Sequence, residues 1–176
     1  MSEQKEKWHG RLALSTAIMA VLAALTTLYM GKFSSRAIMA QGQESDQWAY
    51  YQAKSIKQHT FEISRKALEL QYHAQKALPS EVAADYEKTL AKYGEDIKRY
   101  EGEKKEIKEK AEGLAKSKLK AQDMGGNFAY GLIFLQIALM LASISSLTKQ
   151  KYLWYIALLC NLGWIFFFLD AWMLFY

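Results

Sequence analysis

Residues 74–83 read AQKALPSEVA and hold the chain's single proline, Pro79. On either side lie long stretches without strand alternation, whose apolar residues recur at steps of three and four, the period of a helix. Proline lacks the amide that a helix interior needs, and it pushes the preceding residue, Leu78, out of the helical region. Ser80 is suited to cap a new helix, with Glu81 favourable at its positive end. The stretch therefore predicts a turn at 78–81 joining two long helices.

Both flanks carry sustained heptads. Before the turn, one line runs Ala49, Ala53, Ile56, Thr60, Ile63, Ala67, Leu70, Ala74, Ala77. After it, another runs Ala83, Tyr86, Leu90, Tyr93, Ile97, Tyr100, Lys104, Ile107, Ala111, Leu114, Lys118, Ala121. Such spacing is the signature of coiled-coil packing. Folding at Pro79 brings small residues opposite large ones: Ala67 near Tyr93, Ala74 near Tyr86, Thr60 near Tyr100. An antiparallel coiled-coil hairpin over residues 32–126 is the expectation, with Gly125–Gly126 as a flexible joint at its end. A second apolar line, Tyr50, Phe61, Leu68 and Tyr72, lies about 100° around the first flank. With Trp48 and Tyr51 beside it, this line is expected to widen the seam or, the preferred reading, to face other copies of the chain or a protein partner, because a two-helix hairpin covers only one side of each arm.

Working outward, three apolar runs flank the hairpin. Leu12–Gly31 carries no charge and is bracketed by Arg11 and Lys32. Residues 127–148 and 152–176 are equally long, each enough to cross the roughly 30 Å hydrocarbon layer as a helix. Trp154, Tyr155, Trp172 and Tyr176 stand near the ends of the third run, where amphipathic rings favour the headgroup level. The first run is too long for the apolar part of a typical signal peptide and is read as a retained anchor. Its small residues, Ala13 with Ala17 and Thr16 with Ala20 and Ala24, are spaced for close helix approach in lipid. The fold class is an all-α membrane protein: a tail at 1–11, a first span at 12–31, the hairpin, a second span at 127–148, a basic turn at 149–151 and a third span at 152–176.

The 176 residues are 51% hydrophobic and 23% charged, with mean hydropathy −0.16. That average conceals a charged middle between apolar ends. The net charge of +5 is spread over a mixed Lys/Glu middle, which indicates solvation and topology rather than nucleic-acid binding. Cys160 is the sole cysteine, so no internal disulfide is expected. Lys5, Lys7 and Arg11 in the tail, with Lys149 and Lys151 in the turn, place these segments in the cytoplasm by the positive-inside rule. The hairpin then lies outside it, against the opposite pull of Lys32, Arg36 and the lysines near residues 108–120.

Catalytic chemistry is hard to assemble. The Tyr50/Lys54 spacing matches that of short-chain dehydrogenases, but no dinucleotide fingerprint accompanies it. His59 and His73 are about 21 Å apart along one helix face, too far to share a metal. No catalytic, cofactor or metal residues are assigned, and no enzyme activity is expected. The polar residues inside apolar runs, Gln136, Asn161 and Asp170, are costly in lipid and usually have partners. Asp170 is expected to form an ion pair or to snorkel at the base of the hairpin, on the same side as Lys32 and Arg36.

The runs SDQWAYYQAKSIK at 45–57, RYEGEKKEIKEKAE at 99–112 and FLQIALMLASISSLTKQKYLWY at 134–155 closely resemble a family of small bacterial membrane proteins. The family is known as domain of unknown function number four-three-three-seven. The resemblance covers nearly the whole chain. It implies a multi-pass protein of the bacterial inner membrane with the same span–hairpin–span–span layout, and it implies no activity. The expected function is a non-enzymatic, oligomeric membrane scaffold whose partners are lipid, copies of itself and a protein still to be identified. The alternative is a channel or channel-gating subunit with a pore lined by Gln136, Asn161 or Asp170.

Overall fold

The computed structural model describes residues 2–75 and 79–173, with side chains from Trp8 onward. The expected packing of Ala77, the helix exit at Leu78, the side chains of Lys5 and Lys7 and the ring of Tyr176 lie outside the described residues. The described residues form three helices and no strand: α1, Ser2–Ala74; α2, Ser80–Thr148; and α3, Lys151–Met173. Each contains a stretch long and apolar enough to cross a membrane. The Ala83 amide donates to the Pro79 carbonyl at 3.0 Å. Pro79 thus takes the cap position expected of Ser80, because the residue whose carbonyl accepts the first helical bond is the cap. At the other end of α2, Lys149 adopts φ 55°, and Ser145 donates to the Gln150 carbonyl at 2.8 Å. A left-handed residue after the last turn is a common helix stop.

Neither α1 nor α2 breaks where a span was expected to meet the hairpin. Gly125 and Gly126 lie inside α2 and do not form a joint. A Cβ on Gly125 would stand 3.6–3.8 Å from Ser34 and Phe33, an ordinary contact distance, so α1 packs beside this position with room for an alanine.

The chain divides into two compact units. The first, Met1–Met39 with Ser117–Tyr176, holds the three apolar stretches. Its α1 buries Leu12, Met19, Thr26 and Phe33, one residue every seven. Its α2 buries Met124, Phe128, Leu135, Ala138, Ala142 and Ser145. Helix α3 presents Ala157 and Ala171 to two clusters, one around Leu12, Met19 and Leu135 and one around Phe33, Met124 and Phe128. Small residues of the first span do not seal an interface within the chain. Ala13, Ala17 and Ala20 line an open groove whose far wall is Ala142, Ser143 and Ser146.

The second unit, Ala40–Lys116, contains the remaining parts of α1 and α2. Every residue of the expected α2 line from Ala83 to Leu114 is at least half-buried. The expected α1 line is corrected. Ala49, Ala53, Thr60, Ala67 and Ala74 are exposed, as are Ile56, Ile63 and Leu70, at 67%, 70% and 61%. The inward line lies two residues earlier: Gln47, Tyr51, Lys54, Gln58, Phe61, Leu68 and Tyr72. Two positions are about 200° of helix rotation, so the inward and outward faces exchange. The reason is area. Phe61, Leu68 and Tyr72 bury far more surface against the tyrosines of α2 than alanines can, because aromatic rings carry 150–250 Å² each.

Candidate functional site

In the second unit, rings from α1 and α2 interleave. Phe61 stands 5.5 Å from Tyr93 and 5.8 Å from Tyr100 between ring centroids, and Tyr72 stands 5.5 Å from Tyr86. Of the aromatic patch expected to face a partner, Phe61 and Tyr72 therefore meet α2 of the same chain, and Leu68 is half-buried on the same line. Trp48 and Tyr51 pack edge to face at 5.7 Å, with the Lys104 ammonium 5.4 Å from the Tyr51 ring. Tyr50 alone of the six is largely exposed, at 52%.

Lys54 joins this packing to a charge network. Its ammonium pairs with Glu103 and lies 5.1 and 5.2 Å from the rings of Tyr50 and Tyr100. The hydrogen bond with Glu103 holds the Lys54 pKa above its ordinary value, against the opposing effect of desolvation. Nearby, Gln58 and His59 both contact the Glu62 carboxylate, at 2.8 and 2.9 Å. The Gln58 bond, then the His59 bond, hold that carboxyl below its ordinary range. Glu87 raises the Tyr72 phenol by its negative charge first, then by burial and a 3.3 Å hydrogen bond. Lys54 and Glu103 neutralise each other, and the remaining groups satisfy one another's hydrogen bonds. They do not form a nucleophile–base pair facing a cleft. Among the described residues no three of His, Cys, Asp and Glu gather to hold a metal ion.

In the first unit the three polar residues of the apolar runs are not brought together. Gln136 is exposed on α2. Asn161 donates to the Ala157 carbonyl of its own helix at 3.1 Å, and its buried side-chain oxygen has no hydrogen-bond donor. Asp170 accepts from Asn127 at 2.7 Å, so its partner is an amide on α2 and not Lys32 or Arg36. Two further polar links escaped the sequence reading. The Trp154 indole donates to Ser15 and the Trp164 indole to Thr26, each at 3.0 Å. Thr26 is fully buried, and it donates in turn to the Leu22 carbonyl at 2.7 Å. Single residues 138 and 139 positions apart leave no periodic trace, so only the fold reveals them.

At the end of the first charge-free run, Lys32 and Arg36 are exposed. Lys32 lies 6.0 and 5.9 Å from the rings of Tyr29 and Phe33, and Arg36 lies 5.6 Å from Phe33. At the opposite end of the same unit, the Lys151 ammonium is 5.9 Å from the Trp8 ring, bringing the tail and the short turn together.

A family model described as Domain of unknown function (DUF4337) matches residues 8–174. The chain belongs to that family. The match takes in all three apolar stretches and both helical arms between them. No curated protein and no solved structure matches the chain. The DUF4337 description names no reaction, so any function must be argued from the surfaces described above.

Proposed function

We propose that this DUF4337 protein is a non-enzymatic, multi-pass scaffold of the bacterial inner membrane. Between its first and second spans it carries an antiparallel coiled-coil hairpin that binds copies of itself. The antiparallel pairing is supported by the order of contacts across the arms: Tyr72 with Tyr86, Phe61 with Tyr93 and Tyr100, Lys54 with Glu103, Tyr51 with Lys104. As residue numbers fall on one arm, they rise on the other. A cytoplasmic tail is supported by the shared location of Trp8 and Lys151, which puts the basic turn beside the tail.

One observation carries the reading. The face of α1 that bears Ile56, Ile63 and Leu70 is exposed, although it keeps a heptad of large residues alternating with Ala53, Thr60, Ala67 and Ala74. An exposed apolar stripe of this length is uncommon on a monomer. Alternating large and small side chains let two copies of one face interdigitate, as knobs of one helix fill the holes of another. Crosslinking in native membranes and particle mass in detergent test this. The wild type is expected as an oligomer and Ile63→Asp as a smaller species of unchanged helicity. A wild-type monomer, or an oligomer indifferent to Ile63→Asp, would sink the reading.

A further inference from the structure

We propose that Lys32 and Arg36 form a binding site for a phosphate-bearing anionic headgroup where the first span ends. Three observations inside the first unit meet here. A cavity of 170 Å³ is walled by Tyr29, Lys32, Phe33, Met124 and Trp172, one or more residues from each helix. At about 30 Å³ per water, that space holds several waters or a phosphate group. Two cations stand at it. Lys32 lines the cavity, and Arg36, one turn further along the same face, lies over the ring of Phe33, which also lines it. Among the described residues neither cation has a carboxylate within 4 Å, and the nearby Asp170 carboxylate is engaged by Asn127.

Among the described residues the ring faces of Tyr29 and Phe33 are the groups beside these cations, and a ring face takes no N–H donor in a conventional hydrogen bond. A phosphate takes those donors in charge-assisted hydrogen bonds, with the guanidinium fork matching two of its oxygens. The walls agree with the position. The charge-free run ends at Gly31, so Lys32 begins the polar layer. Tyr and Trp rings prefer that depth, and a basic pocket between spans offers an anionic headgroup charge-assisted hydrogen bonds there.

The test is native mass spectrometry of the full chain in micelles doped with phosphatidylglycerol or phosphatidylcholine. The wild type should retain the anionic lipid in preference to the zwitterionic one. The double variant Lys32→Gln/Arg36→Gln should lower that retention about 25-fold, from about fivefold for each basic side chain facing an anionic headgroup. Lys149→Gln/Lys151→Gln, at the opposite end, should change it little, and Lys32→Arg should preserve it. Circular dichroism of each variant separates lost binding from lost folding. Addition of inorganic phosphate assigns the source: displacement of the lipid marks a free anion as the ligand, and persistence marks the lipid. Equal retention of both lipids by the wild type would overturn the proposal. So would equal loss in both double variants, or none in Lys32→Gln/Arg36→Gln.

Discussion

Gly163→Ala should destabilise the three-helix unit, and the ring of Phe134 should be the cause. A Cβ built on Gly163 falls 2.7, 2.9 and 3.0 Å from three atoms of that ring. Ordinary contact begins at 3.4 Å, so the ring must retreat by about 0.7 Å. Its freedom is limited, because the ring is also stacked on Phe167, one turn further along α3, at 5.8 Å. Overpacking of this kind costs about 1–3 kcal/mol. Against it stands the better helix propensity of alanine, about 1 kcal/mol, leaving a net loss of up to about 2 kcal/mol. The net value alone is a weak test, so the decisive quantity is the coupling. In a Phe134→Ala background the clash is gone, and Gly163→Ala should become favourable by about 1 kcal/mol. Unfolding of the four variants by SDS titration in mixed micelles, followed by circular dichroism, measures this cycle. A coupling below about 0.5 kcal/mol, the limit within which independent sites add, would refute the argument.

The indole links should be individually modest: Trp164→Phe removes one hydrogen bond to Thr26 and should cost about 0.6 kcal/mol in the same titration, near the average for such bonds between spans. Phe61→Ala and Ile63→Ala should separate the two faces of α1. Phe61→Ala should lower the unfolding stability of the Ala40–Lys116 unit by about 2 kcal/mol, less than a fully buried ring would lose. Ile63→Ala should leave that stability nearly unchanged and weaken crosslinking between copies. Acid should loosen the arm at Glu62. Its carboxyl is held below the ordinary 4.5, so the contribution is present above that pH and fades as the pH falls through the lowered folded value. Gln58→Met removes the largest cause and should flatten the acid limb of a pH–stability profile.

Much of this architecture was legible in the sequence, and the failures are instructive. The α2 line was readable because its tyrosines and isoleucines have no rival face; only one stripe of that arm is apolar. The α1 arm has two apolar stripes, and periodicity cannot say which of them turns inward. Regularity favoured the Ile56, Ile63, Leu70 stripe, whereas packing selected the less regular stripe with more surface to bury. Gly125 illustrates a second limit. A glycine pair reads as a hinge in sequence, but here the helix runs straight through it, with Ser34 and Phe33, 91 and 92 positions away, at ordinary contact distance from a Cβ on Gly125. Asp170 illustrates a third. Charge reasoning paired it with a cation, but the amide of Asn127 reaches it and desolvates no second charge.

The hydroxyls of the first span have a consequence of their own. Ser15, Thr16, Thr26 and Thr27 each give their proton to a carbonyl one turn back on the same helix. What these four have left to offer is lone pairs, so toward a neighbouring helix they accept and do not donate. An indole is their natural complement, being a donor that cannot accept. The polarity of the Ser15–Trp154 and Thr26–Trp164 links is thus fixed, and exchanging the two members of a link between the helices would move the bulky ring into the slot that now fits only a small side chain.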